Sequence, residues 1–283
     1  MSIRFPVLIL LLAAIAGDLI AQPKRLPPSI RNPTQLDATE GKRVIEQFRD
    51  FRVGGDFIFS ITLVHEPYRG DSFSYDGTLS GYASPSLRTR IDLIPEGSDT
   101  AVLKYLQWSR PAPALSRIDL RENEPTVKDV LSQSLFEPLL PGLTFSPFDL
   151  MMPFLDWPDY AYEGTRRFRG REVHFFLLYP PLDDPVAESI GGVRVAVDAN
   201  FNVAVRTETL DSTGNALRRL DVRSVKKVDE QWMIRRLDLV DLETRDRTRL
   251  VVNAARIGLA LEPSLFTPKG LTQPLPETEL KEL

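Results

Sequence analysis

The sequence Phe145-Ser-Pro-Phe-Asp-Leu-Met-Met-Pro-Phe-Leu-Asp-Trp-Pro-Asp-Tyr-Ala-Tyr-Glu-Gly-Thr-Arg-Arg-Phe-Arg-Gly-Arg171 lies between two runs of strand-like sequence. Its first half is dense in apolar residues and is interrupted by Pro147, Pro153 and Pro158. Prolines this close together exclude a long helix or a central strand. A kinked apolar segment that contains adaptable methionines suits a mobile flap over an apolar space. A loop that plugs an ordinary hydrophobic core is the alternative.

An amphipathic helix is predicted before the first strands, because apolar residues recur at near-helical spacing over residues 44–51. The side chain of Thr34 or Asp37 can cap its first turn, and the Gly54-Gly55 pair ends it.

Strand alternation begins at Asp56. Phe57, Phe59, Ile61 and Leu63 fall on one face of the first strand, and the residues between them fall on the other. Further strands are predicted at 73–82, 86–93, 101–109 and 115–121.

The period changes at Pro125. Apolar residues return to helical spacing as far as Leu140, and proline suits a first helical turn. Pro138 and the Pro141-Gly142 pair stop this predicted helix. Together with the flap it makes residues 125–158 a helical lid insertion between the two runs of strands.

Strands resume at Tyr160 and continue almost to the end of the chain. They are predicted at 172–179, 193–198, 202–210, 217–228, 231–241 and 247–257, with tight hairpin turns at Ala199-Asn200, Thr213-Gly214 and Asp229-Glu230. Charges fall on one side of the run 217–225, which indicates an antiparallel meander with one solvent-exposed face. The arginines and acids on that face are predicted to form cross-strand pairs.

The predicted fold class is mainly β with a helical lid. It is a large curved antiparallel sheet, or unclosed β-barrel, of about eleven strands. Helices cover the concave face, or the interior stays open for a ligand.

Composition excludes several classes of function. The chain has 283 residues, a formal net charge of −4 and no cysteine. The charge gives no reason to expect nucleic acid as a partner, and the lack of cysteine excludes disulfides, thiolate metal sites and a lipid anchor on cysteine.

Residues 1–21 have the pattern of a secretory signal peptide: a positive start at Arg4, an apolar run and small residues. Cleavage is predicted after Ala21, with Ala16 as a second candidate and an uncleaved anchor as the alternative. Residues 22–35, rich in proline, are predicted to form an extended tether, residues 36–272 a single domain, and residues 273–283 a flexible tail. The mature protein is therefore expected to be exported to the periplasm.

Catalytic and metal-binding signatures are absent from the sequence. His65 and His174 are the only histidines, and both fall inside predicted strands, where a structural role is the simpler interpretation. The Asp183-Asp184 pair is interpreted as a solvated turn, because it lacks the ligand spacing of a calcium loop. A hydrolase would need one of the histidines beside a nucleophile. No catalytic residue, metal site or cofactor is predicted.

The order of elements resembles the periplasmic lipoprotein-carrier superfamily of LolA and LolB, in particular LolA-like proteins of the outer membrane lipoprotein-sorting type. The resemblance covers residues 38–272: a helix, a strand hairpin, a central helical insertion, a second run of strands and a terminal Phe266-Thr-Pro268. It implies an unclosed β-barrel with a helical lid and a hydrophobic cavity for acyl chains. The stretches that carry it are Phe148-Asp-Leu-Met-Met-Pro-Phe-Leu-Asp-Trp157, Tyr162-Glu-Gly164, Gly170-Arg171, Val195-Ala-Val-Asp198 and Arg247-Thr-Arg-Leu250.

One departure concerns an arginine. In that family a strand ends in a basic residue followed by proline, and the arginine helps to hold the lid closed. Here the corresponding hairpin reads Gly81-Tyr-Ala-Ser-Pro85. Arg88 and Arg90 lie just beyond it and are candidates to substitute. Four arginines are candidates to contact lipid headgroups or a partner protein: Arg88, Arg90, Arg166 and Arg169. For Arg166 and Arg169 the alternative is a salt-bridge ladder on the strand face.

The predicted function is a non-enzymatic carrier that shields an acyl chain or the lipid moiety of a lipoprotein. An envelope transport partner and a transient membrane contact would follow. An interaction or assembly protein on the same fold, with a filled core, is the alternative. The residues predicted to line the cavity or form the lid are Phe57, Phe59, Ile61, Leu63, Leu131, Leu135, Phe148, Met151, Phe154 and Trp157.

Overall fold

The computed structural model describes residues 36–50, 53–83, 87–95, 103–108, 114–129, 135–140 and 142–283. Within these residues the chain forms fourteen strands, three α-helices and three short 3-10 helices. The predicted signal peptide, the tether and Leu131 lie outside the described residues.

The strands are β1 Asp56–Glu66, β2 Phe73–Tyr82, β3 Arg88–Pro95, β4 Leu103–Trp108, β5 Ala114–Asp119, β6 Lys128–Asp129, β7 Tyr160–Phe168, β8 Arg171–Leu178, β9 Gly192–Asp198, β10 Ala204–Leu210, β11 Ala216–Val228, β12 Gln231–Asp241, β13 Arg247–Leu259 and β14 Lys281–Glu282. The α-helices are α1 Ala38–Asp50, α2 Pro147–Met151 and α3 Val186–Ser189, and the 3-10 helices are Pro153–Asp156, Pro263–Phe266 and Lys269–Thr272.

All fourteen strands belong to one antiparallel sheet. Its order is β6-β5-β4-β3-β2-β1-β13-β12-β11-β10-β9-β8-β7, with β14 added beside β13. Within the described residues β6 and β7 are the two edges and do not pair with each other, so the sheet is unclosed.

The sheet curves around one core. Alternate side chains from β1, β3, β4, β8, β9, β12 and β13 all enter a single hydrophobic cluster, which requires strands far apart in the sheet to face a common interior. Phe57, Phe59, Ile61 and Leu63 lie on this concave face. The predicted fold class is confirmed, with fourteen strands in place of about eleven.

Helix α1 packs on the concave face through Val44, Ile45 and Phe48, which are buried in the same cluster. Its first turn is capped as predicted: Asp37 Oδ1 accepts hydrogen bonds from the backbone N–H groups of Thr39 and Glu40, both at 2.8 Å.

The helix predicted over Pro125–Leu140 is wrong where the structure describes this region. Lys128 and Asp129 form β6, which pairs with β5, and residues 135–140 form turns and bends. Residues 130–134 and 141 lie outside the described residues. Leucines at helical spacing reach the core equally well from an irregular segment, and Pro138 lacks the amide hydrogen that a helix interior requires.

The end of the chain also differs from the predicted flexible tail. Residues 281–282 form β14 against Ala254 and Ala255 of β13. Strand β12 pairs with β13 only as far as Val251, and β14 takes the place beyond that point. The pairing is possible because the diverging β12 leaves the backbone groups of β13 available.

The outer face of the sheet carries a ladder of charges. Two buried aspartates, Asp221 and Asp238, each lie at ion-pair distance from several arginines, as the cross-strand prediction requires. These are Arg169, Arg206, Arg219 and Arg223 around Asp221, and Arg223, Arg236 and Arg249 around Asp238.

Candidate functional site

The strongest candidate site is the concave face of the sheet together with the segment that covers it. This lid segment is defined as residues 135–157, of which residue 141 lies outside the described residues. Its apolar side chains are buried against the concave face in one continuous cluster. The predicted residues in that cluster are Phe57, Phe59, Ile61, Leu63, Leu135, Phe148, Met151, Phe154 and Trp157, none more than 8% exposed.

The lid segment folds back on itself. The backbone N–H of Phe148 donates to the carbonyl of Leu135 at 2.9 Å, and that of Leu139 donates to the carbonyl of Phe145 at 2.9 Å. Helix α2 ends at Met151, and the next residue, Met152, has a φ of 48° that reverses the chain before the 3-10 helix that follows. The three prolines at 147, 153 and 158 therefore divide the segment into short pieces, as its sequence predicts.

Aromatic rings form the centre of the lid. The ring centroids of Phe148 and Phe136 lie 4.7 Å apart, and those of Phe154 and Trp157 lie 6.1 and 6.3 Å from Phe148. Such pairs add to the stability that apolar burial supplies. Most of what holds the lid on the sheet is thus apolar, which is the type of contact that another apolar group can replace.

Polar contacts anchor the lid at several points along its length. Tyr105 Oη donates to the Leu139 carbonyl at 2.9 Å, and an Arg49 guanidinium nitrogen donates to the Trp157 carbonyl. The backbone N–H of Thr144 donates to Thr248 Oγ1 at 3.0 Å. These anchors tie the lid to β4, α1 and β13.

The best-defined anchor is an ion pair between Asp149 on α2 and Arg218 on β11, whose atoms Oδ2 and Nη1 lie 3.0 Å apart. Asp149 Oδ2 also accepts hydrogen bonds from the N–H and Oγ of Ser146, at 2.8 and 2.7 Å. Burial raises the pKa of the Asp149 carboxyl, against the opposing effect of the Arg218 cation and the Ser146 hydrogen bonds. A charged Asp149 is therefore costly to bury, and Arg218 offsets that cost.

A second anchor contains a histidine. His65 Nδ1 lies 3.0 Å from Thr248 Oγ1, the hydroxyl that accepts the Thr144 amide of the lid. Burial lowers the pKa of His65, opposed by the nearby Asp246 and Glu66 carboxylates. A neutral, unprotonated Nδ1 can accept a hydrogen bond from the Thr248 hydroxyl, and protonation of the ring removes that acceptor.

We expect the protein to lose stability on acidification. Burial also lowers the pKa of His174, whose Nδ1 lies 2.7 Å from Thr165 Oγ1. Because both folded-state pKa values lie below the ordinary value of about 6.5, the unfolded chain takes up protons first as the pH falls. The melting temperature should therefore decrease between about pH 7.5 and pH 5. In a His65→Gln, His174→Gln double variant this decrease should be smaller, and an identical decrease would contradict the assignment.

Arg88 and Arg90 do not lie at the lid. Side chains alternate along β3, so both point to the outer face while Ile91 and Leu93 enter the core. Arg90 is 0% exposed and donates to Asp92 and to the carbonyls of Gly270 and Gln273. The prediction that Arg90 holds the lid or contacts a headgroup is therefore wrong. Arg88 donates to the Phe266 carbonyl.

Arg166 and Arg169 are exposed on the outer face. The Arg166 guanidinium lies 3.8 Å from the centre of the Phe175 ring. Arg169 pairs with Asp221 at 3.1 Å, so it belongs to the ladder that was the alternative prediction.

Sequence reasoning missed seven residues of the lid anchors: Arg49, Tyr105, Thr144, Ser146, Asp149, Arg218 and Thr248. A weak signal existed for Asp149, since Ser146-Pro-Phe-Asp149 is a serine followed three residues later by an acid, as at a helix N-terminus. The partners of these residues lie too far along the chain to be matched by spacing.

Two surface grooves lie apart from the predicted lid residues. The first, of about 580 Å³, runs along the edge of the lid and is lined by Phe136, Leu143 and Thr144 together with Arg218. The second, of about 410 Å³, lies at the far end of the sheet and is lined by Phe201, Trp232 and Met233, among others. Neither groove is lined by the predicted lid residues that the structure describes, and those residues are at most 8% exposed in this closed conformation.

Both histidines lie next to threonine hydroxyls, the arrangement that a hydrolase would need. Thr248 is fully buried and its hydroxyl is engaged by the lid, and Thr165 Oγ1 also contacts Tyr162 Oη at 2.5 Å. Neither pair lines one of the two grooves. Among the described residues no group of three or more His, Asp or Glu is placed to hold a metal ion, and no helix is long and apolar enough to cross a membrane.

Comparison with solved structures identifies the architecture. A DUF1329 family protein from Desulfovibrio piger superposes with a TM-score of 0.72 at 14% identity, covering 82% of this chain and 98% of that one. A domain assigned to outer membrane lipoprotein sorting from Vibrio parahaemolyticus gives 0.71 at 18% identity, covering 81% and 97%. A LolA superfamily protein from Nitrosomonas europaea gives 0.61 at 13%, covering 80% and 96%.

The chain has a LolA-like fold. At these identities the likeness establishes the fold. A family model described as an uncharacterized protein matches residues 138–273, a range that begins in the lid and includes β7 to β13. No curated protein sequence is significantly similar to the chain.

Proposed function

We propose that the protein is a periplasmic, non-enzymatic carrier that binds an acyl chain, from a lipid or a lipidated protein, in the space that the lid segment fills when closed. The observation that carries this proposal is the lid itself. It is a non-sheet segment with polar anchors at a few points. It places nine buried apolar side chains in the concave-face cluster: Leu135, Leu139, Leu140, Leu143, Phe145, Phe148, Met151, Phe154 and Trp157. An acyl chain offers the same kind of contact and can take the place of the lid side chains.

The energies are compatible with exchange between lid and ligand. Each methylene moved out of water contributes about 0.8 kcal/mol, so one acyl chain contributes about 10 kcal/mol. Opening the lid exposes several large apolar side chains, each worth about 1.5–3 kcal/mol when buried. The two sums are of the same order, which lets a carrier both load and release its cargo. The domain from Vibrio parahaemolyticus with the same fold is assigned to lipoprotein sorting, which supports a lipidated protein as one cargo.

A second candidate is an envelope interaction or assembly protein on the same fold. The observation that favours it is the completeness of the closed core, in which Phe148 is 1% exposed and Phe154 and Trp157 are each 3% exposed. If the lid never opens, the protein has no use for an acyl ligand.

Uptake of a fluorescent fatty acid separates the two candidates. Phe148→Ala removes one of the lid side chains that compete with the ligand for the concave face. A larger fraction of the molecules can therefore bind the fatty acid. We expect its apparent Kd to fall by about tenfold or more relative to wild type. Phe175→Ala is the matched control, because it removes an equally buried ring from the outer face and also lowers the free energy of unfolding. Its apparent Kd should equal that of wild type.

Native mass spectrometry of protein purified without detergent from a membrane-containing host gives an independent reading. A bound mass that matches a lipid supports the carrier and identifies the class of cargo. Bare wild-type protein, with no uptake of fatty acid by either the wild type or Phe148→Ala, would reject the carrier in favour of the interaction protein.

A further inference from the structure

Three hairpin turns meet at the end of the sheet where the second groove lies. The turn between β7 and β8 is formed by Arg169 and Gly170, and the turn between β11 and β12 by Asp229 and Glu230, all with positive φ. The third turn, between β9 and β10, contains Phe201. Strand β11 continues past the start of β10, and the groove occupies the gap between their hairpins.

This groove concentrates exposed apolar side chains. Six large hydrophobic residues are exposed in the part of the chain that the structure describes, and three of them line the groove: Trp232 at 54%, Phe201 at 60% and Val225 at 46%. Apolar side chains gathered around one groove indicate a binding surface more than scattered ones do. Its lining also includes Met233 and Val222, which pack against the main core, so the groove leads toward the sheet interior.

Guanidinium groups border the same groove. Arg169, Arg171 and Arg223 contribute to its lining. Their carboxylate partners are buried beneath them: the Asp221 and Asp238 side chains are 1% exposed and that of Asp198 is 0% exposed. Within the groove, the arginine side chains are therefore more accessible to an approaching partner than the carboxylates they pair with.

The positive surface continues from the groove along the outer face. The ladder from β7 to β1 contains more arginines than acids, nine against six: Arg169, Arg171, Arg194, Arg206, Arg219, Arg223, Arg236, Arg247 and Arg249 against Glu66, Glu163, Asp198, Glu208, Asp221 and Asp238. The hairpin tip is closer to neutral, since exposed Lys226 and Lys227 face exposed Asp229 and Glu230. Glu172 is also exposed near this end.

We propose that this end of the molecule docks on the surface of a bilayer that contains anionic lipid. Trp232 and Phe201 enter the interfacial layer, where aromatic rings are favoured, and Arg169, Arg171 and Arg223 bind lipid phosphates. The surface thus combines the aromatic and basic groups that interfacial docking uses. This goes beyond the proposed acyl carrier, because the docking surface is separate from the lid and would act with or without a cargo.

Sedimentation with vesicles tests the docking. The wild type should bind phosphatidylcholine vesicles with about 30% phosphatidylglycerol more tightly than pure phosphatidylcholine, and salt should weaken binding. Arg169→Gln with Arg171→Gln should reduce partitioning onto the anionic vesicles by about 25-fold, roughly fivefold for each arginine. Trp232→Ser with Phe201→Ser should reduce it by about tenfold.

Tyr68→Ser with Arg245→Gln is the matched control. Tyr68 is 57% exposed and the Arg245 guanidinium lies 5.3 Å from its ring centre, but Tyr68 follows β1 at the opposite end of the sheet. This variant should bind vesicles as the wild type does.

Three outcomes would overturn the docking proposal. They are no preference of the wild type for anionic vesicles, equal loss in the control and groove variants, and capture of a monomeric short-chain phospholipid by the groove without vesicle binding. Fatty-acid uptake in vesicle-free solution should be unchanged in the groove variants. A failure of docking is therefore distinguishable from a failure of the carrier function.

Discussion

Replacing Arg90 with methionine is expected to lower the free energy of unfolding by about 3–5 kcal/mol, because the change breaks a buried ion pair from one side. The Arg90 guanidinium is bidentate to Asp92, with distances of 2.8 and 2.7 Å. It also donates to the carbonyls of Gly270 and Gln273 at 3.0 and 2.7 Å. Methionine fills similar space but satisfies none of these acceptors. Lys104 Nζ, at 3.5 Å, would be left as the cation beside Asp92.

The loss of stability should be largest in the C-terminal segment whose carbonyl groups accept hydrogen bonds from Arg90. Residues 261–271 cover the outer face of β1, β4 and β5 through Leu261, Leu265, Phe266 and Leu271. In Arg90→Met this segment should become cleavable by protease before the rest of the domain unfolds.

Urea denaturation measures the effect, with Arg167→Met as the control. Arg167 is exposed on β7, so its replacement should change the free energy of unfolding by less than about 0.5 kcal/mol. Arg90→Lys keeps the charge but not the planar fork, and should fall between the two. If Arg90→Met lowered the free energy of unfolding by less than about 1 kcal/mol, the buried ion pair would not be what holds this segment on the sheet.

Replacing Arg218 with methionine is expected to release the lid. The change leaves Asp149 buried on α2 with the Ser146 hydrogen bonds but without a cation, at a cost to the closed state of about 3–5 kcal/mol. Amide hydrogen exchange in residues 142–157 should accelerate by roughly 150- to 5000-fold, which is that cost converted at about 1.4 kcal/mol for each factor of ten. Peptides from β8 and β9 provide the internal control, because these strands remain in the sheet.

Two variants and a pH series make this result specific. Asp149→Asn with Arg218→Met removes both charges, and it should recover at least about 1 kcal/mol of the loss through coupling. In Arg218→Met alone, lowering the pH toward the titration range of Asp149 should reduce the ratio of its exchange rate to that of the wild type at the same pH. Burial raises the pKa of this carboxyl, so its protonated form is the one that tolerates the closed lid. Exchange that is unchanged in Arg218→Met would mean that apolar contacts alone close the lid.

Local patterns predicted much of the fold. Alternation in β1 placed Phe57, Phe59, Ile61 and Leu63 on the buried face. The Asp229-Glu230 pair was recognised as a tight turn, because short hairpins depend on neighbouring residues only. The prolines of the lid predicted its broken course for the same reason.

Local patterns misjudged the elements whose form depends on a distant partner. The spacing of residues 125–140 fitted a helix, but β6 forms because β5 offers an unpaired edge. Residues 273–283 were predicted to form a flexible tail, but β14 forms because β12 diverges from β13 and leaves room beside it. Arg90 was assigned to the lid by resemblance, and the strand period places it on the other face.

The sequence by itself determined the mainly β class, the alternation of β1 and the apolar character of the lid, because these depend on the period and type of side chains along a few residues. Only the tertiary structure decided which charges meet. Arg90 and Gly270 are 180 residues apart, and Arg218 and Ser146 are 72 residues apart. No spacing rule relates such pairs, since they are joined by the curvature of the sheet. The same curvature brings three distant hairpin turns together around the groove at Trp232.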